Sequence, residues 1–153
     1  MSARSGSLLV DREMPYVGVT PDGIVLNNAG SCEPIEVKAT FKYKDEEDIQ
    51  KLWQKLPYLT CRNCCGKKWR STCQCSGVQA TLNVSHPYYR QCQLECGIMS
   101  ANICHFYVIG GEQNKGLYIP VRFDEKAFKK TKALIQRFYL THFFDYVLNQ
   151  TWR

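Results

Sequence analysis

Hydrophobic and polar positions over the first forty residues come in short stretches, each cut off by turn residues. Pro15–Thr20 is a brief apolar run stopped by Pro21-Asp22-Gly23, and Gly23–Leu26 resumes as a strand before Asn27-Asn28-Ala29-Gly30 turns the chain again. Pro34–Phe41 then alternates with the period of a strand, Ile35 and Val37 on one face and Glu36 and Lys38 on the other. The front of the chain therefore reads as a small antiparallel meander. Asp45–Leu56 predicts a helix, with acids in its first turn and Lys51 and Lys55 later. A second helix is expected over Pro87–Ser100, opened by Pro87. Cys104–Ile109 and Gly116–Phe123 read as strands. Asp124 stands where it would cap a long last helix, Glu125–Leu148, along which Phe128, Thr131, Ile135, Phe138 and His142 recur at helical spacing. Strands clustered in this way, rather than alternating strictly with helices, predict a mixed α/β (α+β) domain spanning residues 1–153.

Composition narrows the class of partner. Hydrophobic residues make up 44% of the chain and aromatic residues 12%, enough for a globular core rather than a disordered segment. Twenty basic against 14 acidic residues give a net charge of +6, which suits a polyanion without requiring one. Nothing approaches the roughly 18 apolar residues of a membrane span, and the apolar run near Arg4 is too short for a signal peptide. No membrane partner is expected, and an intracellular setting, nucleus or cytoplasm, is. Nine cysteines are many for this length and their number is odd. Without a secretory signal they point to free thiols or a metal site rather than a disulfide framework.

The chemistry concentrates in Asp22 and in Glu36-Val37-Lys38. The period of two sets Glu36 and Lys38 side by side on one strand face, and Asp22, at the preceding bend, can converge with Glu36 on a hard cation. Carboxylate oxygens suit Mg²⁺ or Mn²⁺, which retain waters and phosphate oxygens. Lys38 can then orient a water and steady charge developing on a phosphorane. Taken alone, a Glu-x-Lys is far more often an exposed ion pair worth about 0.5 kcal/mol.

Three ordered segments change that balance. Val19-Thr20-Pro21-Asp22-Gly23-Ile24-Val25, Ile35-Glu36-Val37-Lys38 and His86-Pro87-Tyr88-Tyr89-Arg90-Gln91-Cys92-Gln93-Leu94 together resemble the lambda exonuclease and YqaJ-type viral recombinase family, within the PD-(D/E)xK nuclease superfamily. The resemblance runs from about Pro15 to the C-terminus. It implies a restriction-endonuclease-like core, a central mixed sheet flanked by helices. It also implies Mg²⁺- or Mn²⁺-dependent hydrolysis of DNA, exonucleolytic, in DNA recombination, repair or viral and mobile-element DNA processing. Asp22 and Glu36 would be the metal ligands, with the Val37 backbone carbonyl as a further oxygen, and Lys38 the catalytic lysine. Gln91 matches the glutamine that faces the active site. Gln93, about 200° away on a helix, is expected to bond a neighbouring element instead. A homo-oligomer is compatible with the family.

The chain also departs from that pattern. Family members carry a longer N-terminal portion, with a helix bearing another acid, whereas Asp22 here follows only 21 residues. That helix is expected to be missing and catalysis to be weakened. Lys38-Ala39-Thr40 replaces the usual Lys-Cys-Pro. Residues 61–76 read as a Cys-rich basic insertion in which Cys61, Cys64, Cys73 and Cys75 can hold Zn²⁺, and Lys67, Lys68, Trp69 and Arg70 suit a phosphate backbone and a stacked base. His86, His105 and His142 are read as structural, and the basic face of the last helix as solvated. Three functions thus compete: a metal-dependent deoxyribonuclease, a nuclease-derived DNA-binding accessory module that cuts weakly or not at all, and a zinc-binding interaction module.

Overall fold

A computed structural model describes residues 7–40, 55–61, 80–110 and 115–151. Eight strands are present in it: β1 (Leu9–Val10), β2 (Gly18–Val19), β3 (Gly23–Leu26), β4 (Cys32–Thr40), β5 (Leu59–Cys61), β6 (Ala80–Leu82), β7 (Ile103–Gly110) and β8 (Lys115–Arg122). The helices are α1 (Pro87–Met99), α2 (Glu125–Phe138) and α3 (Phe144–Thr151), the last two joined by a π-helical turn, Tyr139–Phe143. The chain is a mixed α/β fold built on one mixed sheet.

Four strands in the order β3-β4-β7-β8 form that sheet. β3 and β4 pair antiparallel, closed by the Asn27–Gly30 turn. In this turn the Asn27 side chain accepts the Ala29 and Ser31 N–H groups, and Gly30 takes a φ of +78° that favours glycine. β4 and β7 run parallel, so the chain between them must cross over, and α1 lies on that crossover. β8 returns antiparallel to β7. Register assigns the faces: Glu36 lies opposite Phe106 and Ile35 opposite His105. Cys104, Phe106 and Val108, all fully buried, therefore share the Glu36 face, which α1 covers. The core fills this space with Leu56, Leu59, Leu82, Ile119 and Val121, beside the small β5–β6 pair.

Two expectations are corrected. Pro15–Thr20 does not extend the main sheet; its strand β2 pairs with Leu9–Val10, a partner the hydrophobic pattern had not marked. Asp11 explains why. Its carboxylate caps the Glu13 and Met14 N–H groups and is gripped by Lys132 of α2 at 2.9 Å, so the N-terminal segment folds back on itself and docks onto the last helices. Lys132, which also reaches Glu13 at 3.1 Å, is thus a clamp rather than part of a solvated basic face. The last helix is also not uniform. It passes through the π turn, and Thr131 is its one buried residue within α2, whereas Phe138, Phe143 and Phe144 remain exposed. All but the last two residues of the expected Asp45–Leu56 helix lie outside the described residues.

α1 deserves its length to its ends more than to its periodicity. His86 caps it, its ring Nδ1 accepting the Tyr88 N–H at 3.2 Å, and Pro87 opens the first turn. Ser100 closes it in the left-handed conformation at φ 56°. Its buried residues are Cys92, Gln93, Glu95 and Cys96, not aliphatics. Where α2 crosses it, Gly97 lies against the Phe128 ring, and a Cβ built on Gly97 would overlap that ring. Gly97→Ala is expected to lower stability by about 1–3 kcal/mol, despite alanine's better helix propensity. Phe128→Leu in the same chain should recover part of the loss. Thermal melts showing Gly97→Ala neutral or stabilising would rule out this close crossing of α1 and α2.

Candidate functional site

Asp22, at the bend that leads into β3, lies beside the β4 segment that carries Glu36 and Lys38, at the end of the hairpin away from the Asn27–Gly30 turn. Beyond the last β3–β4 pair, Gly23 with Ile35, the ladder is continued by a side chain: Asp22 Oδ2 accepts the Val37 N–H at 2.8 Å. A strand residue directs its N–H and C=O to the same edge, so the Val37 carbonyl projects to the side where Asp22 stands. Asp22 itself is exposed. Glu36 is not: its residue is 1% exposed, and one of its oxygens accepts from the Lys38 ammonium. That burial separates the arrangement from the ordinary surface ion pair, because a carboxylate withdrawn from water is costly unless a charge or a cation meets it.

Lys38 is held in turn. Its ammonium lies 4.9 Å from the centroid of the Tyr88 ring, on the first turn of α1, and its side chain is 22% exposed. Burial works to lower its pKa, but the bond to Glu36 and the charges of Glu36 and Asp22 outweigh it and leave the pKa raised. Lys38 is therefore a cation at neutral pH, able to orient and neutralise but not to act as a general base.

α1 supplies the opposite wall. Gln91 Nε2 donates to Glu95 Oε1 at 3.1 Å, and the Cys104 thiol of β7 lies 3.5 Å from Glu95 Oε2. Glu95 is fully buried and meets the Glu36 carboxyl. Burial first, then the Glu36 charge, drive its pKa up to about 8. At neutral pH it is accordingly the protonated partner, and Gln91 reaches the site through it. Gln93 faces the other way: its Nε2 donates to the Arg122 carbonyl at 3.0 Å and its Oε1 accepts the Asp124 N–H at 2.6 Å, tying α1 to the start of α2. A cavity of about 680 Å³ opens between α1, α2 and β2, lined among others by Thr20, Tyr88, Arg90, Gln91 and Glu95. Asp22, Glu36 and Lys38 are not among its lining residues.

Sequence reasoning sets Glu95 and Tyr88 on the Gln91 side of the helix but gives Glu95 no role, since its one signal is its position one turn after Gln91. The remaining predicted positions stand apart or outside. Cys61 is buried at the end of β5, paired in register with Ala80. Cys64, Lys67, Lys68, Trp69, Arg70, Cys73 and Cys75 lie outside the described residues. Among the described residues no three Cys, His, Asp or Glu side chains form a ready-made metal cluster. His105 serves a separate network, its Nε2 2.7 Å from Glu33 and its Nδ1 2.9 Å from the Tyr118 hydroxyl. No described helix is long and apolar enough to cross a membrane.

Compared with protein-family models, curated proteins and solved structures, the chain matches none. The functional reading rests on the site's own chemistry and on the motif resemblance.

A titration follows from Glu95. Its folded pKa, about 8, lies above its ordinary value of 4.5, so between these values the folded chain holds a proton that the unfolded chain releases, and stability falls as pH rises through that window. Glu95→Gln removes the titrating group while keeping its shape. In EDTA, the melting temperature of Glu95→Gln relative to the parent should climb steadily from about pH 5 to about pH 9. A pH-independent gap would show that Glu95 is not the proton-bearing carboxyl.

Proposed function

We propose that the chain is a divalent-metal-dependent nuclease domain acting on DNA phosphodiesters, with Asp22, Glu36 and Lys38 as its catalytic set. The observation that carries this reading is a buried Glu36 carboxylate flanked by a protonated Lys38 and by Asp22 anchored on the next residue's N–H. The group of donors fits a hard cation: two carboxylates and a backbone carbonyl, all oxygen, with one buried Glu36 oxygen that has no hydrogen-bond partner among the described residues. Bound there, Mg²⁺ or Mn²⁺ would supply Lewis-acid activation of the phosphate and a lowered water pKa.

The chain's own residues do the rest. Glu36 and Asp22, with the Val37 carbonyl, would hold the ion. Lys38 would direct its ammonium at the attacking water and at the charge developing on phosphorus. Tyr88 keeps the ammonium in place through its ring face. Gln91, bonded to Glu95 on the same helix, orients that carboxyl beside Cys104 of β7. Arg90 at the adjoining cavity and the net charge of +6 favour a polyanionic substrate. By the motif resemblance, the substrate is DNA and the mode exonucleolytic.

Purified chain should degrade end-labelled linear DNA with Mg²⁺ or Mn²⁺ and stop in EDTA. Lys38→Ala should slow cleavage by about 10²- to 10³-fold while leaving metal binding, and it should also lower the metal-free melting temperature by stranding the Glu36 charge. Asp22→Asn should instead weaken metal binding. DNA retention without cleavage under either metal would favour the accessory-module reading, and neither binding nor cleavage would overturn both.

A further inference from the structure

Glu36 and Glu95 bring two carboxyls together inside the fold, one from β4 and one from α1. Glu36 is 1% exposed and Glu95 is fully buried, and each offers only acceptors when ionised. Lys38 meets one Glu36 oxygen, and the other, shut away from water, has no hydrogen-bond partner among the described residues. Glu95 is held by Gln91 from its own helix and by the Cys104 thiol from β7, both donating, so its carboxyl is oriented from two elements before anything binds. A carboxyl needed only for packing could be replaced by a hydrophobic side chain at no loss. Here it is instead fixed by two donors, over the sheet face that carries the unpartnered Glu36 oxygen.

We infer that Glu95 is a direct ligand of the divalent ion: Glu36 and Glu95 together grip the cation between β4 and α1, with Gln91 and Cys104 as its positioning partners. This rests on the metal-dependent reading above and adds to it a ligand from the helix. Glu36 and Glu95, added to Asp22 and the Val37 carbonyl, would make an all-oxygen shell for Mg²⁺ that waters and phosphate oxygens complete. Both sides of the site are then tied: the sheet through Glu36 and Val37, and α1 through Glu95. Binding therefore fixes the helix that carries Tyr88, Arg90 and Gln91 against the strand that carries Lys38.

Crystals of the parent chain soaked in Mn²⁺ and measured at the manganese edge give the direct test. The expected anomalous peak lies at inner-sphere distance from an oxygen of Glu36 and from an oxygen of Glu95. In solution, calorimetric titration of Mn²⁺ should show Glu95→Gln weaker by at least about tenfold, with Glu95→Asp in between, each variant first shown to be folded by its melting curve. A peak on Glu36 and Asp22 with Glu95 still bonded only to Gln91 and Cys104 would overturn the ligand assignment and leave the nuclease reading standing, even if Glu95→Gln weakened binding indirectly. No peak and no Mn²⁺ binding by the parent chain would overturn both.

Discussion

A carboxylate has been taken out of water inside a sheet, and much of the surrounding structure is arranged to tolerate it. Glu36 sits on the central strand of the mixed sheet, on the face that α1 covers. Desolvating such a charge is costly enough that its neighbours are constrained. Lys38 must stand on the same face, which the strand period ensures, and it must be kept near by Tyr88. Glu95 must carry a proton, or else leave. The helix α1 cannot then be a conventional apolar helix, because its inner surface has to supply groups that a carboxylate accepts. Cys92, Cys96 and Cys104 fill the remaining space as small, weakly polar side chains. Burial pushes the Cys96 thiol up to about 12, so it stays neutral beside the acids.

The same constraint explains which parts were legible in the sequence. Alternation exposed β4 and the Glu36–Lys38 face because its 9 residues repeat the two-residue period several times. The bend at Pro21-Asp22-Gly23 and the caps at Pro87 and Asp124 were legible because they depend on local backbone chemistry. β1 was not, since two residues have no period, and what holds them is a contact from Lys132, 121 positions beyond Asp11. β5 and β6 were hidden in the same way: Leu59–Cys61 and Ala80–Leu82 are three residues each and find one another across the Cys-rich segment. Their pairing also moves Cys61 from the expected insertion into the core, where its side chain is fully buried.

Within the site, legibility followed chemical identity rather than burial. Asp22, Glu36, Lys38 and Gln91 could be given roles from ordered motifs, whereas helical spacing placed Glu95 on the Gln91 side without a role, because a glutamate there carries no motif of its own. The packing of α1 on the sheet, with the Cys104 thiol 3.5 Å from Glu95, buries that residue fully. Gln93 shows the converse. Its sequence position beside Gln91 invites a catalytic role, while 0% exposure and two bonds to the β8–α2 junction make it a fastener.

The opposite face of the sheet offers an internal control for reading the Glu36 site. Glu33, on the same strand, is also buried, yet both of its oxygens are satisfied: Asn27 donates to one at 3.0 Å and His105 contacts the other at 2.7 Å. A carboxylate accepts only, so His105 Nε2 donates to Glu33, while its Nδ1 lies 2.9 Å from the Tyr118 hydroxyl and links β4 to β8 through β7. The bond from His105, followed by that from Asn27, pulls the Glu33 pKa below the usual range. One strand thus buries two glutamates and treats them oppositely. Glu33 is fully partnered and serves the sheet's architecture. Glu36 keeps an oxygen open, and its neighbour Glu95 is pushed away from the usual carboxylate range in the reverse direction. A fold able to close a carboxylate's hydrogen bonds completely on one face leaves them incomplete on the other among the described residues, and that contrast is what the proposed metal site draws on.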